Sequence, residues 1–177
     1  MSGHLAPPVS DRDHAQGDAT APVTLVEYGD YQCPHCGRAY PIIKRVQKRL
    51  GARLRFIYRN FPLTEIHPDA LHAAEAAEAV GEQGGATAFW HMHDLIFEHQ
   101  QDLGDGALGK LATKAGADAT RVLADLSAGT FEERVREDFM SGVRSGVNGT
   151  PTFFINGKRF DGSWDEDSLV AALEAAT

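Results

Sequence analysis

The segment Cys33-Pro34-His35-Cys36 constrains the fold more than any other part of the sequence. It follows Val23-Thr-Leu-Val-Glu-Tyr28, whose β-branched and aromatic composition is typical of a buried strand, and Gly29-Asp30 end that strand. After the segment, apolar residues recur at helical spacing as far as Leu50, so a helix is predicted to begin at or near Pro34. The two cysteines therefore lie between a strand and the first turn of a helix.

The position of Cys33 predicts a reactive thiol. Unpaired backbone N–H groups and the positive end of the helix dipole favour the thiolate at a helix N-terminus. His35 adds an imidazole that stabilises the same thiolate when the ring is protonated. Cys36 lies three residues further on and is expected to be less exposed. We therefore predict that Cys33 reacts first and that Cys36 resolves the mixed disulfide that forms with a partner.

The cysteine pair also has three other interpretations: a structural disulfide, a reduced pair without a role, and half of a metal site. A zinc site needs about four ligands, usually from a second cysteine pair or from paired histidines. Cys33 and Cys36 are the only cysteines in the chain, so no metal site is predicted. Two cysteines in 177 residues are also too few for a disulfide-stapled scaffold, which favours chemistry over framework.

The charge and the N-terminal composition suggest the cellular setting. The chain has 17 Lys and Arg against 25 Asp and Glu, a net charge of −8, which argues against nucleic acid and against a polybasic membrane anchor. We expect no contact with a membrane, because no run is long enough to span one. Without the pattern of a signal peptide, a cytoplasmic location is expected, unless an export segment has been removed. Residues 1–21 are rich in Pro, Ser, Gly and Asp and are predicted to form a flexible tail.

The rest of the chain predicts an α/β domain. Residues 53–61 alternate and are aromatic, so they are predicted to form a second strand, parallel to the first in a βαβ unit. From about 64 to 145 the sequence favours helix and predicts an inserted helical block. A third strand turns at Asn156-Gly157, and a capping box over residues 163–166 precedes the last helix. We expect one domain over residues 22–177.

The order of these elements and three sequence segments resemble the DsbA-like branch of the thioredoxin superfamily. The resemblance extends from about Ala21 to the C-terminus. It implies an α/β, thioredoxin-like fold with an inserted helical block. The three segments are Asp30-Tyr-Gln-Cys-Pro-His-Cys36, Phe89-Trp-His-Met-His-Asp-Leu95 and Gly149-Thr-Pro-Thr-Phe-Phe-Ile-Asn-Gly157.

The resemblance also implies roles for three residues outside the cysteine segment. Thr150-Pro151 matches the cis-proline loop of the family, which would lie against Cys33 and bind an extended substrate peptide by strand addition. Glu27 matches an acidic residue beneath the active site that would take up a proton as Cys36 becomes the attacking thiolate. The alternative for Glu27 is an ordinary carboxylate that reaches solvent from a strand end. Thr before this proline is closer to isomerases than to the strongly oxidising prototype, which has Val, so the direction of electron flow stays open.

These observations predict a monomeric thiol-disulfide oxidoreductase that acts on protein or peptide thiols. No cofactor is implied, and electrons must pass to or from a redox partner that the sequence does not identify. Two alternatives are a redox-inert peptide-binding module that uses the groove beside Pro151, and a metal-binding protein. A third is an enzyme that acts on glutathione conjugates and does not need Cys36.

Overall fold

The computed structural model describes residues 3–177, which form five strands and six α-helices. A single 3₁₀ turn, Gly51–Arg53, follows the first helix. In chain order the elements are β1 (His14–Gln16), β2 (Val23–Gly29), α1 (Pro34–Leu50), β3 (Leu54–Asn60), α2 (Ala70–Glu98), α3 (Asp105–Lys114), α4 (Ala119–Ala128), α5 (Glu132–Arg144), β4 (Thr152–Ile155), β5 (Lys158–Phe160) and α6 (Glu166–Ala175).

The strands form one mixed sheet in the order β1-β3-β2-β4-β5. Strands β2 and β3 are parallel and are connected through α1, which confirms the predicted βαβ unit. Strand β4 lies antiparallel on the other side of β2 and forms a hairpin with β5. The hairpin turns at Asn156 and Gly157, whose positive φ angles of 48° and 80° suit a two-residue turn. The carboxyl end of β2 therefore lies between neighbouring strands, where it leads into α1.

Successive side chains of β2 point to opposite faces of the sheet and so belong to two hydrophobic clusters. Leu25 is fully buried in the larger cluster, which α1, α6 and the helical block complete. Val26 and Tyr28 belong to the smaller cluster on the other face, where Leu5 is buried and Phe139 of α5 packs against them. Both faces of the central strand are thus covered, and the residues at its end are held in place.

The inserted helical block is found where the sequence predicted it, between β3 and β4. Gly85 has non-helical angles (φ 81°, ψ −168°) and divides α2 into two helical segments. The predicted capping box over residues 163–166 is wrong, because the Glu166 carboxylate binds Arg45 instead of the N-cap residue. The N-cap of α6 is Asp165, whose carboxylate accepts the backbone N–H of Ser168, while Ser163 donates to that same carboxylate.

The N-terminal segment differs from the flexible tail predicted for residues 1–21: residues 3–16 form a strap across the sheet, while residues 1 and 2 lie outside the described residues. Residues 3–5 pair with β5 through the bonds Leu5 N to Gly157 O and Arg159 N to Gly3 O. At the other edge, β1 pairs antiparallel with β3. The segment was predicted to be flexible because it has few apolar residues. It is held mainly by main-chain bonds to the edges of the sheet, which do not depend on side-chain type.

A buried ion pair also fixes the N-terminal strap. The guanidinium of Arg59 in β3 donates to the Asp13 carboxylate at 2.7 and 3.0 Å, and only 4% and 7% of the two side chains are exposed. His14 binds the Glu78 carboxylate at 2.8 Å and stacks on Phe89. Polar side chains of the strap therefore anchor it to the rest of the domain, as buried apolar side chains do in other segments.

Within residues 3–177, no helix has both the length and the apolar content needed to cross a membrane. The same stretch holds no group of three or more His, Cys, Asp or Glu side chains placed to bind a metal ion.

Candidate active site

Both cysteines lie at the start of α1, at the carboxyl end of β2. Cys33 is the N-cap residue with an extended backbone (φ −69°, ψ 124°), and Pro34 is the first residue of the helix, as predicted. Proline suits this position because it has no N–H to leave unpaired. Both thiols are free, Cys33 is 3% exposed, and Cys36 is fully buried. The two residues thus differ in access, with Cys33 nearer the surface.

The surroundings of Cys33 stabilise its thiolate. The thiol of Cys36 donates to the Cys33 sulfur, and the backbone N–H groups of Cys36 and His35 point at it, so the pKa of Cys33 falls from 9.0 to about 5. Partial burial acts in the opposite direction but is outweighed. These donors are the unpaired N–H groups of a first helical turn, which favour negative charge. Cys33 is therefore ionised at neutral pH.

Cys36 has the opposite chemistry. Burial raises the pKa of the Cys36 thiol well above 9.0, and its hydrogen bond to Cys33 and the nearby Glu27 add to this effect. The backbone N–H of Asp30 is 3.5 Å from the Cys36 sulfur and acts weakly against it. The site therefore pairs a thiolate with a neutral thiol.

Glu27 lies in β2 and is only 3% exposed, so it is not a carboxylate that reaches solvent from the strand end. Burial raises its pKa from 4.5 to about 8, and the negative charge of Cys33 contributes further. A carboxyl group in such a site holds its proton at neutral pH. Glu27 can consequently release or accept a proton near the pH at which the cysteines react.

The loop before β4 lies against Cys33, although it is more than a hundred residues away in sequence. The peptide bond between Thr150 and Pro151 is cis. The carbonyl oxygen of Thr150 is 3.7 Å from the Cys33 sulfur. The hydroxyl of Thr152 donates to the carbonyl of Gly149 at 2.7 Å and closes the loop. The fold thus brings the predicted substrate-binding residues to the predicted nucleophile.

The ring of His35 does not have the environment that was predicted for it. The exposed imidazole Nδ1 accepts a hydrogen bond from the guanidinium of Arg38. The contribution of His35 to the Cys33 thiolate in this geometry comes from its backbone N–H.

Asp30 organises the turn between β2 and α1, and it received no separate role from the sequence. One carboxylate oxygen accepts the backbone N–H groups of Gln32 and Cys33, at 2.8 and 3.1 Å. The other accepts the N–H of Leu63 and binds Nδ1 of His67, both at 2.8 Å. The local signal was available, because an Asp that bonds the backbone two residues later is a common turn motif.

Gln100 is a second residue that sequence reasoning missed. Its amide Nε2 donates to the backbone carbonyls of Tyr31 at 2.8 Å and Cys33 at 3.0 Å. It lies just after α2, and no feature of the sequence connects it with the cysteine segment.

The chain matches the family model described as thioredoxin over residues 10–175. Among solved structures it is similar to BdbD from Bacillus subtilis in its oxidised form, with 26% identity, a TM-score of 0.88, and coverage of 99% of this chain and 98% of that one. DsbA2 from Pseudomonas aeruginosa is 27% identical, with a TM-score of 0.73 and coverage of 93% and 94%. The thiol-disulfide exchange protein α-DsbA2 from Wolbachia pipientis is similar in fold, with 22% identity, a TM-score of 0.81, and coverage of 95% and 89%.

The curated relatives carry a different name. A Na⁺/H⁺ antiporter NhaA 1 from Salinispora arenicola is 43% identical over 172 residues, which cover 97% of this chain but 26% of the relative. An antiporter of the same name from Mycobacterium sp. strain KMS is 42% identical over 167 residues, which cover 93% of this chain and 27% of the relative. The chain thus spans about a quarter of the length of these relatives.

The comparisons confirm the thioredoxin-like fold but contradict the expected cytoplasmic location. DsbA acts in the bacterial periplasm, and two of the similar structures are named as DsbA2 proteins. The expectation rested on the absence of a signal peptide from the N-terminal residues, which is a weaker criterion than similarity over nearly the whole chain.

Proposed function

Since this chain belongs to the thioredoxin family, as a DsbA-like member, we propose that it is a thiol-disulfide oxidoreductase that exchanges disulfides with protein or peptide thiols. The observation that carries the proposal is the contrast between the Cys33 thiolate, with a pKa of about 5, and the buried, neutral Cys36. A structural cysteine pair does not require such a contrast.

In the oxidising direction the cycle starts from the Cys33–Cys36 disulfide. A substrate thiolate attacks the Cys33 sulfur, a mixed disulfide forms, and Cys36 leaves as a thiolate that takes a proton from Glu27. A second substrate thiolate then attacks the substrate sulfur of the mixed disulfide and releases Cys33 as a thiolate. The substrate loses two electrons and gains a disulfide, while the cysteine pair is reduced. Reduction of a substrate follows the same steps in reverse.

The low pKa of Cys33 supports the oxidising direction. A stabilised thiolate stabilises the reduced pair, so its disulfide accepts electrons more readily. Reduction potentials of such pairs extend from about −270 mV in thioredoxin to about −120 mV in DsbA. Because Thr150 stands where the oxidising prototype has Val, we place this pair between these two values.

Cis Thr150-Pro151 and its neighbours form the proposed substrate-binding loop. The closeness of the Thr150 carbonyl to Cys33 supports this role, since a peptide bound along the loop would bring its cysteine to the nucleophile. His35 and Pro34 complete the proposed site, His35 through its backbone N–H and Pro34 by setting the start of the helix.

Two measurements test the proposed function. Equilibration with glutathione buffers gives the potential of the pair, and a value below that of thioredoxin would contradict the oxidising role. Trapping distinguishes the two cysteines: Cys36→Ser is expected to accumulate mixed disulfides with a thiol peptide, whereas Cys33→Ser is expected to lose exchange. If the two variants behave alike, the assigned order of attack is wrong; peptide binding with no exchange in the unaltered protein would indicate a redox-inert binding module.

The antiporter relatives favour a second candidate, in which the same thiol chemistry serves a Na⁺/H⁺ antiporter. Their 41–43% identity over most of this chain supports an association of the domain with such a transporter. The test is Na⁺/H⁺ exchange in membrane vesicles containing an NhaA antiporter, with and without this protein. A change in exchange rate that Cys33→Ser abolishes supports the candidate, and an equal rate in all samples contradicts it.

A further inference from the structure

The turn that carries Cys33 is held from two sides by side chains. On one side, the Asp30 carboxylate accepts backbone N–H groups of the turn. On the other, the two N–H bonds of the Gln100 amide are both used, one by the Tyr31 carbonyl and one by the Cys33 carbonyl. Since both partners are carbonyls, the orientation of the amide is settled: nitrogen must face them. Within residues 3–177, Gln100 is the only side chain that donates to either carbonyl.

The packing of Gln100 explains a glycine in the first turn of α1. A Cβ atom at Gly37 would lie 2.0 Å from the Oε1 atom of Gln100, too close for any real contact. Glycine inside a helix costs stability relative to alanine, so its presence calls for a local reason. The amide of Gln100 occupies the space that a side chain would need. Gly37 also donates its N–H to the Cys33 carbonyl at 3.0 Å, so both residues bind the same oxygen.

We propose that Gln100 is a positioning residue for the Cys33 nucleophile, through which the helical block holds the active-site turn. The inference deepens the proposed function and rests on it. The Cys33 carbonyl lies in the peptide plane that joins Cys33 to Pro34, and this plane sets the start of the helix. By fixing it, Gln100 keeps the N–H groups of His35 and Cys36 directed at the Cys33 sulfur. Loss of the amide loosens the first turn, so the thiolate of Cys33 is less stabilised and the pKa of Cys33 rises.

The decisive readout is the pKa of Cys33, which a merely structural residue would leave unchanged. Gln100→Met keeps much of the length and volume of the side chain but cannot donate, and Gln100→Glu keeps the shape but presents oxygens to the two carbonyls. The adjacent, exposed Gln101 offers matched controls, Gln101→Met and Gln101→Glu. In the reduced protein, the pKa follows from the pH dependence of alkylation or of thiolate absorbance.

A neutral hydrogen bond is worth about one pKa unit or somewhat less, so we expect Gln100→Met to raise the pKa of Cys33 by about half a unit to one unit. Gln100→Glu is expected to raise it further, because a carboxylate adds negative charge. The Gln101 variants are expected to titrate like the unaltered protein. Melting temperatures of the four variants show whether any change reflects unfolding. An unchanged pKa in folded Gln100→Met overturns the proposal.

Gly37→Ala provides an independent test, because its added methyl group must displace the Gln100 amide. In the unaltered background it is expected to raise the pKa of Cys33 as Gln100→Ala does. In the Gln100→Ala background the space is free, so it is expected to leave that pKa unchanged and to raise the melting temperature through better helix propensity. Equal effects of Gly37→Ala in the two backgrounds would mean that the residues are not coupled.

The outcome also separates this inference from the proposed function. If unaltered protein titrates like ordinary cysteine and exchanges no disulfides, the proposed function fails. If it has a low pKa and exchanges disulfides while Gln100→Met matches it, only the role of Gln100 fails.

Discussion

Replacement of Glu27 by Gln is expected to stabilise the protein, and to do so only above acidic pH. Glu27 is buried, and its pKa is raised from 4.5 to about 8. Between these values the unfolded chain releases a proton that the folded protein retains, so the free energy of unfolding falls as pH rises. Glutamine has nearly the same shape and no proton to release. This contribution to the fall in the free energy of unfolding is therefore absent from the variant.

The magnitude follows from the two pKa values. Each pH unit between 4.5 and 8 changes the free energy of unfolding by about 1.4 kcal/mol. Relative to the unaltered protein, Glu27→Gln is thus expected to gain nothing below about pH 4.5 and about 3 kcal/mol at pH 7, with no further gain above pH 8. In the oxidised protein the gain should be smaller, because the negative charge of Cys33 is absent while burial remains.

Urea unfolding followed by tryptophan fluorescence from pH 4 to pH 8 measures this dependence, with reduced and oxidised protein compared. Glu82→Gln, an exposed residue of α2, controls for the loss of a carboxylate elsewhere. A constant difference between Glu27→Gln and unaltered protein across this range would refute the reasoning. If Glu27→Gln becomes less stable than the unaltered protein as pH rises, Glu27 is ionised in the folded protein instead. Glu27→Gln is also expected to slow the proton-dependent step at Cys36.

Three further outcomes are expected. The alkylation rate of Cys33 in reduced protein should rise with a midpoint near pH 5, and a midpoint near that of free cysteine, about 8.5, would contradict the thiolate. Thr150→Val should make the pair more oxidising in glutathione buffers. An unchanged equilibrium would contradict the inference drawn from Val in the oxidising prototype. Asp13→Asn should lower the free energy of unfolding by about 3 to 5 kcal/mol, because it leaves the Arg59 charge buried without its partner, whereas the exposed Asp11→Asn should have little effect in urea unfolding.

The chemistry of the cysteine segment was predictable because its causes are local. A strand, a turn, Pro34 and a helical pattern within about thirty residues suffice to put Cys33 at a helix N-terminus. Asp30 acts on the same turn partly through local bonds to Gln32 and Cys33, whereas the contacts of Gln100 depend wholly on tertiary structure. No periodicity or spacing in the sequence shows that residue 100 returns to residues 31 and 33.

The fold was predictable where hydrophobic patterns are strong, as in β2, β3 and the helical block. The N-terminal strap has no such pattern. Its stability comes from backbone pairing and from the ion pair between Asp13 and Arg59, which lie 46 residues apart. The expected cytoplasmic location was wrong for another reason: it rested on the missing pattern of a signal peptide, whereas similarity to DsbA proteins over nearly the whole chain points away from it.

The strap also determines when this protein can finish folding during its synthesis. Residues 3–5 leave the ribosome about 150 residues before their partners at residues 157–159. Until residues 157–159 emerge, residues 3–5 cannot form their backbone bonds to β5. The contact must also close a loop that includes most of the chain. A nascent chain interrupted before the hairpin of β4 and β5 would therefore lack the contact between residues 3–5 and β5.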